Sequence, residues 1–200
     1  MAKVKLTKNE LKKQKDSLKM FKRYLPTLML KKQQLQMEVR LTEMRLRELD
    51  TEKSLLNESF RVWIGVFAET GHFTAGILKI AGYKTSVGNI AGVGIPVFEG
   101  AEFDVAPYDL ALAPLWLDTA VEKMKQVLLL DLEADIVREQ KARLERELRI
   151  TTQRVNLFEK VKIPETQTNI KKIQVYLGDQ QTAAVVRGKI AKGRLEKADA

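Results

Sequence analysis

The sequence predicts a mainly α fold: a long antiparallel two-helix coiled coil with a small β-hairpin and an irregular head between the helices. Two stretches repeat apolar residues every seven positions, which is the pattern of a coiled-coil seam. A glycine-rich stretch separates them, and a composition of 30% charged and 6% aromatic residues is more typical of elongated helical proteins than of compact enzymes. We therefore expect an N-terminal coiled-coil helix in residues 1–70, a Gly-rich head with a short β-hairpin in residues 71–114, and a C-terminal coiled-coil helix in residues 115–200.

The first helix is predicted to begin at Thr7-Lys8-Asn9-Glu10, which has the spacing of a capping box. Twelve of the sixteen positions in its two heptad rows are apolar, and no glycine interrupts the run. Pro26 lies inside the run, where it removes a backbone bond and crowds a carbonyl, so we expect a kink near Tyr24 to Pro26. The rows are Leu11, Leu18, Leu25, Lys32, Val39, Leu46, Lys53, Phe60 and Gln14, Phe21, Leu28, Leu35, Thr42, Leu49, Leu56, Trp63.

A second heptad pattern lies in the C-terminal part of the chain, and eight of its ten positions are apolar. One amphipathic helix cannot bury its own stripe, and each large side chain removed from water contributes about 2 kcal/mol, so the two stripes should pair. Pro164 predicts a bend, after which Ile170, Ile173 and Leu177 resume helical spacing. The two rows are Val127, Ala134, Lys141, Leu148, Val155 and Leu130, Val137, Leu144, Thr151, Phe158.

The head combines seven glycines between Gly71 and Leu115 with three prolines. Within it, the stretch from Lys84 to Val105 is rich in Val, Ile and Phe and alternates loosely, which predicts a β-hairpin. Gly88, Gly92 and Gly94 match neither the dinucleotide fingerprint nor the Walker pattern, so we assign them to strands or turns.

Charge is unevenly distributed along the chain. Residues 1–40 carry twelve Lys or Arg against three acids, and residues 160–200 carry nine against four, so the middle is acidic although the net charge is +9. An antiparallel hairpin brings both basic ends to one tip, which predicts a partner surface there. Lys32, Lys53 and Lys141 interrupt the apolar seams: their stems can lie over the seam with the ammonium groups in water, or they can fix register or face a partner.

Catalytic chemistry finds little support in the composition. The chain has no cysteine and one histidine, His72, and we expect the acids Asp131, Glu133 and Asp135 to form a solvated helix surface and not a cation site. We expect no catalytic, cofactor or metal site. The apolar run from Tyr24 to Leu30 is too short to span a bilayer, and we expect a cytoplasmic protein. A nucleic-acid-associated basic coiled coil is the alternative function, although no recognisable nucleic-acid motif is present.

Several sequence elements resemble the D-subunit family of V-type and A-type rotary ATPases (ATP synthases), whose members form the central stalk, or rotor shaft. The elements are Arg154-Val155-Asn156, Glu159, Val161, Ile163-Pro164, Asn169-Ile170-Lys171, Ile173, Leu177, Asp179, Gly92-Val93-Gly94-Ile95-Pro96 and the set Leu28, Lys31, Lys32, Leu35.

The resemblance implies a non-catalytic subunit that transmits torque between an ATP-hydrolysing or ATP-synthesising hexamer and a membrane ion-translocating ring. It implies that a basic tip lies in the cavity of the catalytic and regulatory subunits, that the hairpin side binds the small F subunit of the central stalk, and that the lower end docks on the subunit capping the membrane ring. The protein would then lie peripheral to the membrane, without cofactor or nucleic acid. The residues assigned to these roles are Lys12, Lys13, Lys31, Lys32, Arg187, Lys189 (tip), Val93, Ile95, Pro96 (hairpin side) and Arg154, Asn156, Glu159, Ile163, Pro164 (family motif and bend).

Overall fold

The computed structural model describes residues 4–61, 76–108, 113–114 and 116–198, with side chains described as far as Arg194. Its elements are α1 (Lys8–Arg61), β1 (Leu78–Ile90), β2 (Val93–Val105), α2 (Leu117–Asn156), a π-helical segment (Leu157–Lys162) and α3 (Ile163–Ala198). The predicted fold class is confirmed: two long helical stretches flank one antiparallel hairpin. Trp63 and His72 lie outside the described residues. The chain forms two compact units, one of Met1–Lys31 with Ile150–Ala200 and one of Lys32–Arg149.

The predicted seams are the buried faces of the helices. Every described residue of both heptad patterns is buried or half-buried. Thr42, a polar residue in the first seam, donates its hydroxyl hydrogen bond within its own helix, with Oγ1 2.6 Å from the carbonyl oxygen of Glu38. A polar seam position is therefore tolerated because its hydroxyl is satisfied locally.

In the unit Lys32–Arg149, the helices pack through two apolar clusters. One contains Leu49 of α1 with Ala134 and Val137 of α2. The other contains Leu35 and Val39 of α1 with Leu144 of α2, and it also includes a residue of the hairpin. The side chains are those that the heptad pattern predicts, so the seam holds the helix pair in this unit.

The hairpin is longer than the sequence predicts, since β1 begins at Leu78 and not near Lys84. Register shifts occur between Ile80 and Gly82 and between Lys84 and Thr85, and these interrupt the alternation that the prediction relied on.

The turn of the hairpin consists of Ala91 and Gly92, with φ of 50° and 79°. Both residues are left-handed, as a two-residue turn between twisted strands requires. Asn89 Oδ1 accepts a hydrogen bond from the Gly92 amide at 2.9 Å. Gly88 and Gly94 lie in the strands, so the strand-or-turn assignment of the glycine motif is confirmed.

The base of the hairpin is fixed to the start of α2. Ile77, just before β1, forms a buried cluster with Leu117 and Val121 of α2. Tyr108 donates its hydroxyl hydrogen bond to Asp118, and this bond raises the pKa of the tyrosine. The hairpin is therefore anchored at its root within this unit.

In the other unit, α1 contacts the C-terminal helical stretch through an aromatic pair. The ring centroids of Phe21 and Phe158 are 5.1 Å apart, with the ring planes tilted by 48°. Farther along the C-terminal stretch, Thr166 and Ile173 are buried. The helix α1 continues through Pro26, next to which the Thr27 hydroxyl donates to the Tyr24 carbonyl at 2.8 Å.

Near Pro164 the chain stays helical, and the departure from α geometry lies just before the proline. The Ile163 amide donates to the carbonyl of Phe158, five residues earlier, which is π spacing. Pro164 has no N–H with which to make the next such bond, and α spacing resumes there. The bend at Pro164 stays a prediction, while the π segment beside it was not predicted.

Candidate partner-binding surfaces

Ion pairs between α1 and α2 flank the seam in the unit Lys32–Arg149. Lys53 Nζ lies 2.5 Å from Asp131 Oδ1, and Lys141 Nζ lies 3.0 Å from Glu43 Oε1. Both lysines occupy seam positions, and both reach across to the other helix. The structure therefore favours the register-fixing interpretation for these two lysines over the interpretation in which they only reach water.

A third ion pair joins Arg45 to Glu133, with Nη2 2.7 Å from Oε1. Hydrogen bonding to Glu133 raises the pKa of Arg45. Hydrogen bonding to Lys141 lowers the pKa of Glu43, and the same contact raises the pKa of Lys141. Each helix supplies both signs of charge, so a shift in register would separate these oppositely charged partners.

These contacts also explain the acidic residues of α2. Asp131 and Glu133 pair with cations of α1, and Asp135 pairs with Arg138 of its own helix at 2.5 Å. Among the residues that the structure describes, no cluster of acids or histidine has the arrangement of a metal site. The acids of this region are therefore structural ion-pair partners.

The tip of the hairpin packs against the helix pair. Ile95, only 4% exposed, contacts the cluster of Leu35, Val39 and Leu144, and Val93 packs against the same cluster. Two side chains of α2 bind the strand backbone: Gln140 Nε2 donates to the Pro96 carbonyl at 2.5 Å, and Arg143 Nη1 donates to the Gly94 carbonyl at 3.2 Å.

This packing gives Val93 and Ile95 a role within the chain, while the assignment of Val93, Ile95 and Pro96 to a partner surface stays a prediction. Ile95 is buried within its own chain, and Pro96 and Val93 are half-buried beside it. The GV-x-I-P motif holds the hairpin on the helices, because its apolar side chains fill the cluster and its carbonyls accept bonds from α2.

The opposite face of the hairpin is open. Val87 pairs with Pro96 across the strands and is 86% exposed, while Tyr83, on the same face four residues earlier in β1, is also exposed. Ile80 is exposed near the root. The sequence analysis missed these residues, although the alternation of Tyr83, Thr85 and Val87 along β1 was a signal for one shared face.

The predicted basic tip is divided between exposed and half-buried residues. Lys12, Lys13, Arg187 and Lys189 are exposed. Lys31 and Lys32 are half-buried, and Lys31 has interactions within the chain. The first four lie in one compact unit, together with the aromatic pair of α1 and the C-terminal helical stretch.

Beyond Leu177, α3 has an unburied surface. From Gly178 to Arg194, every residue is exposed except the half-buried Gly193. Val185, Val186 and Ile190 are exposed there beside basic residues, and no acid occurs between Asp179 and Glu196. This segment offers an apolar and basic surface that the described part of the chain does not cover.

The residues of the predicted family motif surround the π segment. Val155 is buried in the seam, whereas Arg154, Asn156, Glu159 and Pro164 are exposed. Ile163 is half-buried. The motif therefore has one packing residue and an exposed polar side. No described helix has the length and apolarity to cross a membrane.

Comparisons with known proteins cover nearly the whole chain. The family described as the D subunit of ATP synthase matches residues 10–193. The V-type ATP synthase D subunit of Borreliella burgdorferi is 54% identical over 98% of this chain and 97% of its own length. The proteins of the same name in Chlamydia pneumoniae and Chlamydia muridarum are 35% and 36% identical, over 96% and 97% of this chain and 93% and 97% of their own lengths. The nucleic-acid alternative finds no support among these relatives.

Proposed function

This chain belongs to the D-subunit family of ATP synthases, and from that premise we propose how its surfaces serve in a rotary complex. It is a central stalk subunit of a V/A-type ATPase or ATP synthase and works with other subunits of that complex. We assign it no catalytic step: in our proposal, it transmits torque between the nucleotide-hydrolysing hexamer and the membrane ring.

The observation that carries the torque proposal is the pairing of α1 with α2. A shaft must resist both sliding and unwinding of its helices. The seam of Leu35, Leu49 and Leu144 opposes separation, because these residues are almost fully buried. The ion pairs Lys53–Asp131 and Lys141–Glu43 oppose sliding, because a shift of one turn would break them.

We assign the exposed basic and apolar surface of α3 beyond Leu177 to the cavity of the catalytic and regulatory subunits. We assign Lys12 and Lys13 of α1 to the same cavity, together with Arg187 and Lys189 of α3, and all four residues are exposed. The open hairpin face around Tyr83 and Val87 is assigned to the small F subunit of the central stalk. Docking of the other end on the ring-capping subunit, peripheral to the membrane, follows from the family.

Two truncations of the chain test this proposal in the reconstituted ATPase. Truncation after Leu177 removes only the exposed segment of α3, so the helix pair should still fold, while ATP hydrolysis should no longer drive ion pumping. Truncation after Lys160 also removes the buried Thr166 and Ile173 and should be at least as severe. Coupled pumping by either truncated complex at the full-length rate would refute the assignment.

A charge variant provides the finer comparison. Replacing Arg187 and Lys189 by Gln should weaken coupling, because both cations lie on the proposed cavity surface. The matched control replaces Lys171 and Lys172, two exposed cations of α3 next to the buried Ile173, and should keep coupling near normal. Equal loss in the two variants would mean that net charge, and not this surface, matters.

A further inference from the structure

The C-terminal helical stretch changes the phase of its buried face at the π segment. Before it, Thr151, Val155 and Phe158 follow the heptad spacing of four and three. Continued α spacing would place Lys162, Glu165, Asn169 and Lys172 in the seam. Of these, Glu165 and Lys172 are exposed, and Lys162 and Asn169 are only half-buried. The buried residues are instead Thr166 and Ile173, each one position later.

The π segment accounts for this shift. A bond from the Ile163 amide to the Phe158 carbonyl encloses one residue more than an α bond does. Each extra residue turns the following α-helix by about 100° relative to an uninterrupted one. The chain therefore holds one surplus residue between Phe158 and Thr166, and without the π segment Ile173 would be rotated out of the seam.

The segment has one packing contact near its start, and the next fully buried side chains lie beyond it. Phe158 packs on Phe21 of α1, and Ile173 is 0% exposed. No residue from Leu157 to Lys162 is buried. Between the buried residues Thr151 and Ile173, the longest run without a buried residue is 156–165, so twist applied between them would meet the fewest buried contacts around the π segment.

We propose that the segment Leu157–Lys162 is a torsional joint: a π turn that stores one residue dispensable for packing and that yields first when the helix is twisted. The stored residue is a property of the isolated chain. Its use as a joint under load rests on the proposed function as a rotor. Pro164 limits the joint on its C-terminal side, since it lacks the N–H that would extend the π bonding.

A deletion and an insertion at one place test the stored residue. Because Pro164 would crowd a continuous α-helix, both changes are made in the Pro164→Ala variant. Deleting the exposed Lys160 gives a sequence in which Ile163, Thr166, Ile170, Ile173 and Leu177 continue the seam at three- and four-residue spacing. Inserting one Ala after Lys160 doubles the surplus and serves as the matched control.

We expect the deletion to raise or preserve the urea midpoint of the isolated chain relative to Pro164→Ala and to slow hydrogen exchange of the amides in this segment at least tenfold. The insertion should lower the midpoint. Equal losses from deletion and insertion would overturn the proposal. Pro164→Ala alone should leave hydrogen exchange of the amides in this segment fast. Slow exchange in that variant would show that the proline, and not the seam, holds the π turn, and would also overturn the proposal. All of these measurements are made on the isolated chain. A failure of the proposed rotor function would therefore be distinguishable from a failure of the stored-residue proposal.

Discussion

Replacing Ile95 by Ala tests whether the hairpin is held on the helices by its tip. The change removes both γ carbons and the δ carbon of a side chain packed on Leu35, Val39 and Leu144. At about 0.8 kcal/mol per buried carbon, the transfer term is about 2.4 kcal/mol. The cavity left among these helix residues raises the total to about 3 kcal/mol.

Native-state hydrogen exchange of the hairpin amides measures this loss directly, because the hairpin can detach without unfolding of the helices. A loss of about 3 kcal/mol corresponds to roughly a hundredfold faster exchange in β1 and β2. The matched control is Val87→Ala on the open face, where the side chain is 86% exposed and exchange should change by less than about threefold. If Ile95→Ala proved as mild as Val87→Ala, the docking of the tip would be wrong.

Three further changes test other parts of the structure. Ala91→Gly should raise the melting temperature by a few degrees, because a left-handed alanine costs about 1 kcal/mol that glycine avoids; a lower melting temperature would contradict the turn geometry. Glu43→Gln should lower the melting temperature at pH 7, because Lys141 stabilises only the ionised form of Glu43. The difference from the wild type should vanish as the pH falls below the ordinary glutamate pKa of 4.5 and through the lowered pKa of the folded state. A difference that persists at pH 3 in thermal melts would exclude this ion pair as its cause. A double-mutant cycle of Phe21→Ala and Phe158→Ala in urea unfolding should give a coupling free energy of about 0.5–1.5 kcal/mol, whereas additive losses would mean that the rings do not interact.

The helix pairing could be predicted because the heptad pattern repeats over many turns. Leu35, Leu49 and Leu144 are seam positions by spacing alone, and all three are nearly fully buried. The ion pairs between the helices were harder to predict, since the sequence does not say which acid meets Lys53 or Lys141. Whether such a lysine reaches water or the other helix depends on the register.

Features governed by the backbone were harder to predict. An Ala91-Gly92 turn is not a usual hairpin signal, because alanine is uncommon in the left-handed region. The π segment did leave a signal: the apolar spacing changes after Phe158, where Thr166, Ile170 and Ile173 continue one residue late. Interpreting Pro164 as a simple bend concealed that change of phase.

The predicted partner residues of the hairpin stay a prediction, but the structure gives part of the motif a packing role. The resemblance identified Val93, Ile95 and Pro96 as a distinctive motif, and a distinctive motif can serve packing as well as recognition. Burial of Ile95 shows the packing role, and burial depends on where the strand tip meets the helices. A single sequence contains no such distance information.

The end of α3 has a thermodynamic consequence for assembly. From Gly178 onward the described side chains lack burial, so the helix there depends on intrinsic propensity alone. Gly178, Gly188 and Gly193 each weaken it by about 1 kcal/mol relative to alanine. Insertion of this segment into a partner cavity would therefore include a coil-to-helix transition. The transition has a negative enthalpy and an entropic penalty, and both grow with the number of residues that become helical. Calorimetry of complex formation would record that ordering as heat beyond what the contact area accounts for.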